Sequence, residues 1–105
     1  MPRYAYKVLK PDLTNVGLLK APVMQYRFAE WMRPLEPLSD HPRKGGGLWT
    51  APTLSVAKQY AKYLRRKHGL AVRIFRCRIG DVLYETSCRI KTDALYFTEA
   101  DEVTT

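Results

Sequence analysis

Two histidines, two cysteines, a glycine-rich loop and a block of cations are the parts of this chain whose residue types could do chemistry. Nucleophilic catalysis finds no signature: G-x-S-x-G is absent, and no Ser or Cys has a neighbouring His with a third group to orient it. His41 stands in a proline-rich stretch and His68 at a helix end, where each reads as a surface histidine. Cys77 and Cys88 lack C-x2-C spacing, so no metal site is expected. The two cysteines fall in strand-like runs that could face each other across a hairpin, with reduced thiols as the default. His41-Pro42-Arg43-Lys44-Gly45-Gly46-Gly47 joins cations to glycines whose backbone could approach an anion. The spacing G-x-x-x-x-G-K-[ST] is missing, as is G-x-G-x-x-G, and a flexible connector or contact loop fits the segment better.

The cations are the stronger signal. Lys58, Lys62, Arg65, Arg66, Lys67, Arg73, Arg76 and Arg78 occur with no acid between the first and the last. The remaining cations and acids balance at ten each, so the whole net charge of +8 belongs to this block. The C-terminal end leans the other way, with Asp93, Glu99, Asp101 and Glu102. A cation-only block steers toward polyanions or acidic surfaces, and its plain alternative is a solvated helix face beside an Arg-rich strand. Tyr4, Tyr26, Trp49 and Tyr96 could stack on bases if exposed, although a small domain also needs aromatics in its core. Five phosphate contacts would give a log–log salt slope of roughly −4 to −5. No RNP pattern, zinc finger or helix-turn-helix is present.

Certain elements must position these groups. Over Arg3–Leu9, Tyr4, Tyr6 and Val8 alternate with Ala5, Lys7 and Leu9, which predicts a strand stopped by Pro11. Val23–Trp31 alternates as a strand over Met24, Tyr26 and Phe28, but Phe28, Trp31 and Met32 also fit a short helix. Residues 33–47 form a Pro/Gly-rich loop, and Leu48–Ala51 a short strand ended by Pro52. Thr53 is the expected N-cap of the main helix and Gly69 its C-cap. Leu54, Ala57, Tyr60, Ala61 and Leu64 make its apolar stripe, with Lys58, Lys62, Arg65 and Arg66 opposite. Leu70–Ile79 reads as a strand whose apolar parity changes, predicting a bulge or a start buried on both faces. Val82–Glu85, Cys88–Lys91 and Ala94–Thr98 supply further strands, and 101–105 a frayed tail.

Composition sets the class. The 105 residues are 46% hydrophobic and 27% charged, which fits one globular domain, 1–105, rather than a disordered chain. No apolar run approaches the roughly 20 residues of a membrane span, and no secretory leader is expected.

Tyr6-Lys7-x-x-x-Pro11-Asp12, Tyr26-Arg27-Phe28-Ala29-Glu30-Trp31 and Gly47-Leu48-Trp49 followed by Pro52, Ala57 and Tyr60 resemble a group of small phage-encoded α+β domains. Trp49 stands where their outline has His. The resemblance implies a phage or prophage accessory protein working in the cytoplasm of a bacterial host. A looser likeness is to ADP-ribosyltransferase-type folds. It implies NAD as the ligand, with Lys7 or Tyr6 at the position of an NAD-contacting Arg or His and Trp49-Thr50 on the ribose side. Tyr60 would then flank the nicotinamide, and Glu85 or Glu99 would be the transferase glutamate. The first strand has no Arg or His at its centre, and S-T-S is missing.

The expectation is an α+β domain, with one main helix at about 53–68 packed on a mostly antiparallel sheet of five or six short strands. Functionally it is a non-enzymatic binder of nucleic acid or of an acidic or nucleoprotein complex, for example an inhibitor of a host defence system. It needs no cofactor and no membrane. Lys58, Lys62, Arg65, Arg66, Lys67, Arg73, Arg76 and Arg78 are the expected contacts, with Arg43 and Lys44 from the loop. The alternatives are an NAD-binding enzyme using Tyr6, Trp49, Tyr60, Glu85 or Glu99, and a self-associating virion accessory protein using a Val23–Phe28 strand edge.

Overall fold

The alternation in Arg3–Leu9 produces a strand, β1, and puts two different surfaces on its two sides. The computed structural model describes residues 3–16, 23–41 and 46–103. After β1 come β2 (Leu48–Thr50), α1 (Leu54–His68), β3 (Arg73–Ile79), β4 (Val82–Glu85), β5 (Ile90–Thr92), β6 (Leu95–Tyr96) and β7 (Glu102–Val103). The class is α+β, but among the described residues seven strands in two antiparallel sheets replace the expected five or six in one. The first sheet runs β1-β3-β6, with β7 also paired to β3, and the second runs β2-β5-β4. Ala51, just past β2, exchanges backbone hydrogen bonds of 2.9 and 2.7 Å with Tyr6 and so ties the sheets together.

β3 pairs with β1 in unbroken register from Arg3↔Ile79 to Leu9↔Arg73. The parity change in β3 is therefore not a bulge but a start buried on both faces, with Ile74 and Phe75 each fully buried. Ile74 and Val8 cluster with Ala57 and Leu64 of α1. On the opposite face Ala5, Leu9, Phe75, Cys77 and Ile79 join Met24, Tyr26, Leu48, Ile90, Leu95 and Phe97 in the main core. Three aromatics lock that core, with Phe97 4.8 Å from Phe75 and Phe28 5.6 Å from each.

α1 is stopped at both ends as its sequence predicts. Thr53 Oγ1 accepts the Val56 N–H at 3.2 Å. Gly69 takes φ 64, and its N–H reaches Arg65 O while Leu70 N–H reaches Leu64 O. The last turn carries Arg65, Arg66, Lys67 and His68, which complements the helix dipole.

Four expectations are corrected. Val23–Phe28 is not a strand: Gln25 makes a lone bridge to Thr14, and Ala29 turns the chain at φ 57. Its alternation still buries Met24 and Tyr26, which is why the residues read as a strand. Of the expected tail, 101–103 is not frayed, because Asp101 closes a 3-10 turn and Glu102–Val103 pairs with β3, while 104–105 lie outside the described residues. β3 begins at Arg73 rather than Leu70, and β5 at Ile90 rather than Cys88. Finally, Cys77 is buried opposite Ala5 while Cys88 is exposed, so the two thiols are free and do not face each other.

Candidate nucleic-acid interface

Lys58, Lys62, Arg65, Arg66 and Lys67 of α1 are all exposed. At 100° per residue, the first four fall within an arc of about 100° on one flank. Lys67 lies on the other flank beside Tyr60 and Tyr63, whose rings stack at 6.5 Å. Tyr60 belongs to the apolar stripe by spacing but is 38% exposed, because the buried face narrows to Ala57 and Leu64.

Arg76 and Arg78 are exposed on β3. They share the parity of Ile74, so they project from the side of the sheet that carries α1. The Arg76 guanidinium sits 4.0 Å from the centroid of the Tyr4 ring, a cation–π contact that orients both groups. Arg73 has the opposite parity. It donates to both carboxylate oxygens of Glu102, at 3.0 and 2.8 Å, and to Pro11 O at 3.2 Å. The Glu102 carboxylate raises the pKa of Arg73, and the guanidinium in turn lowers that of Glu102. Arg73 is thus neutralised and separated from the other expected contacts. Among the described residues the ion pairs are Arg73–Glu102 and Arg3–Glu85, so the seven remaining cations of the block carry no carboxylate partner there. Arg43 and Lys44 lie outside the described residues.

Of the aromatics expected to stack, Tyr4 is 37% exposed and Tyr96 half-buried, whereas Tyr26 is in the core. Trp49 is half-buried, edge-on to Tyr84 and 4.4 Å from the Arg89 guanidinium. Sequence reasoning missed Trp31. It is 47% exposed and packs against Tyr96 at 5.5 Å between centroids.

Of the residues of the NAD reading, Lys7 and Trp49 come together, and Tyr6, Tyr60, Glu85 and Glu99 do not join them. A cavity of about 140 Å³ does open beside Trp49, lined by Lys7, Met24, Tyr26, Glu36, Leu48 and Trp49 among others. Tyr6, Tyr60, Glu85 and Glu99 are not among its walls. Glu85 is held by Arg3 through both carboxylate oxygens, which lowers its pKa. Glu99 is exposed in the 3-10 turn before β7. Lys7 is buried and donates to Trp49 O at 2.7 Å, and its burial lowers the pKa to about 8. The volume is well short of the roughly 300–1,000 Å³ of ordinary ligand clefts.

Two further absences bear on chemistry. Among the described residues no group of three or more His, Cys, Asp or Glu could hold a metal ion. No helix there is long and apolar enough to cross a membrane. In comparisons with known proteins, no family model, curated protein sequence or solved structure matches the chain.

Proposed function

We propose that this protein binds nucleic acid, free or within a nucleoprotein complex, through the helix-bearing side of its first sheet. One observation carries the reading. Lys58, Lys62, Arg65, Arg66, Lys67, Arg76 and Arg78 are exposed on elements of that side, without a carboxylate partner among the described residues. Repulsion within such a cluster is relieved by a polyanion, and release of condensed counterions adds favourable entropy. A binder of this kind acts by occupying a surface. A host defence nucleoprotein complex is one example of a partner such a binder would occupy.

The test is Lys62→Glu with Arg66→Glu, read by anisotropy of labelled DNA and RNA. Both side chains are solvent-exposed, so the fold is expected to persist by circular dichroism. Affinity should fall at least about tenfold, since each lost phosphate contact also becomes a repulsion. Unchanged affinity in the folded double variant overturns the proposal.

A second reading, NAD binding in the cavity beside Trp49, is favoured by Lys7 and Glu36 lining one space. Its size speaks against a dinucleotide. Protection of Lys7 from amine-reactive labelling by NAD would restore it. The self-association reading loses the strand edge on which it depended.

A further inference from the structure

We infer that the ligand is single-stranded nucleic acid, its bases stacked on Tyr4, Tyr96 and Trp31 and its phosphates held by Arg76 and Arg78. This rests on the nucleic-acid reading above and names the form of nucleic acid it takes.

Tyr4 is the cross-strand partner of Arg78, and Arg78 is in turn the partner of Tyr96. Met32 bridges Leu95 with hydrogen bonds of 2.8 and 3.0 Å, which sets Trp31 opposite Tyr96. One row therefore crosses the sheet as Tyr4, Arg78, Tyr96, Trp31. Directly opposite residues share a face, and at the usual strand spacing the row spans about 14 Å. Tyr6 and Arg76 form the neighbouring row on that face.

These two strands change character along their length. Where α1 covers the sheet they present Val8 and Ile74, both buried. Tyr6 follows, half-buried against that cluster, and then the same face presents the exposed Tyr4, Arg76 and Arg78. Aromatic rings alternating with guanidinium groups on an open sheet face suit unpaired bases, because each base offers a π-face and each guanidinium plane a further stacking surface or a phosphate contact. A duplex hides those base faces in its own stack and leaves the rings of this row no base to stack on. A second copy of the chain is disfavoured, since it would bring the same arginines against each other in a molecule of net charge +8.

The experiment compares short oligo(dT), oligo(rU) and a duplex of equal length by anisotropy, using the parent chain, Tyr4→Ala and Trp31→Ala. Single strands should bind more tightly than the duplex. Each substitution should weaken single-strand binding by about 5- to 100-fold, while leaving duplex binding and the salt slope as they were. Tryptophan fluorescence gives an independent readout. In Trp49→Phe the remaining Trp31 should be quenched on adding unlabelled oligo(dT), and this decides the matter if Trp31→Ala does not fold. Aromatic variants that bind like the parent, absent quenching, or equal affinity for duplex overturn the stacking. If the Lys62/Arg66 reversal still abolishes binding in that case, the broader nucleic-acid reading survives. No binding of any strand at low salt removes both readings. Displacement of oligo(dT) by polyglutamate with no dependence on Trp31 assigns the surface to an acidic polypeptide instead.

Discussion

The Lys7 side chain crosses from the first sheet to the second, its Nζ donating to the Trp49 carbonyl at 2.7 Å. The amine is buried within 5.3 Å of the Tyr26 ring centroid, with that carbonyl as its hydrogen-bond acceptor among the described residues. A buried ammonium without a carboxylate is costly, so the sheets are joined by a desolvated hydrogen bond rather than a salt bridge.

A pH prediction follows. Desolvation lowers the Lys7 pKa from 10.5 to about 8 in the folded chain. Between these values the unfolded chain binds the extra proton, so stability rises with pH through this window; below about 8 both states are protonated and the full penalty remains. Cys77 acts oppositely, because burial pushes its thiol up from 9.0 to about 12 and favours the unfolded thiolate above 9. Net gain is therefore confined to about pH 8–9. Urea midpoints should rise across that interval, by at most about 1.4 kcal/mol per pH unit. In Lys7→Met the rise should vanish. A flat profile in the parent chain would show that Lys7 titrates normally.

Two arginines three positions apart should behave differently. Arg76 is exposed against Tyr4, while Arg73 is held by Glu102 on the other face. Arg76→Gln is expected to weaken nucleic-acid binding several-fold and to reduce the salt slope by about one. Arg73→Gln should leave affinity within about twofold and cost no more than about 1 kcal/mol of stability, as exposed ion pairs do. Isothermal titration at several salt concentrations, alongside urea melts, separates the two. Equal losses of affinity would mean that Arg73 leaves Glu102 to reach the ligand.

What was legible in the sequence was local. Helix periodicity and the Thr53 and Gly69 caps fixed α1, and alternation found β1. Exposure of Lys58, Lys62, Arg65 and Arg66 followed from the same periodicity. What was not legible depends on partners far away in the chain. Arg73 meets Glu102 only because β7 folds back onto β3. Trp31 meets Tyr96 only because Met32 finds Leu95. The division into two sheets turns on the step from Thr50, paired with Ile90 of β5, to Ala51, bridged to Tyr6 of β1. Val23–Phe28 misled because burial alternates along it while its backbone pairs through a single bridge with the short irregular stretch Leu13–Asn15.

Two glycines with positive φ give a paired stability prediction. Gly46, at φ 90, closes the loop by accepting the Ser39 N–H at 3.1 Å, and an added Cβ would overlap the Pro37 carbonyl. Gly69, at φ 64, has open space around the same position. Gly69→Ala should cost only the left-handed backbone penalty, about 1 kcal/mol. Gly46→Ala should cost about 2 kcal/mol or more, because steric overlap adds to that penalty. Urea midpoints measure both. Limited proteolysis should cut near Leu38 faster in Gly46→Ala alone, and equal cutting in the two variants would refute the loop-closing role.

Ala29 links the core to the proposed stacking surface. Its backbone adopts φ 57, and its N–H donates to Phe97 O at 2.8 Å. On one side Phe28 packs on Phe75 and Phe97, and on the other the chain leads to Trp31 beside Tyr96. Any side chain resists this conformation, a β-branched one most of all. Ala29→Gly removes the clash but adds chain entropy to the unfolded state, so stability should change by less than about 1 kcal/mol. Ala29→Val should lose about 2 kcal/mol. Because the strain falls on the turn that places Trp31, Ala29→Val should also weaken oligo(dT) binding under conditions where it remains folded. Duplex binding, which depends on the helix cations, should hold. If Ala29→Val keeps full single-strand affinity, the position of Trp31 does not govern binding, and the row from Tyr4 to Trp31 is not the stacking surface.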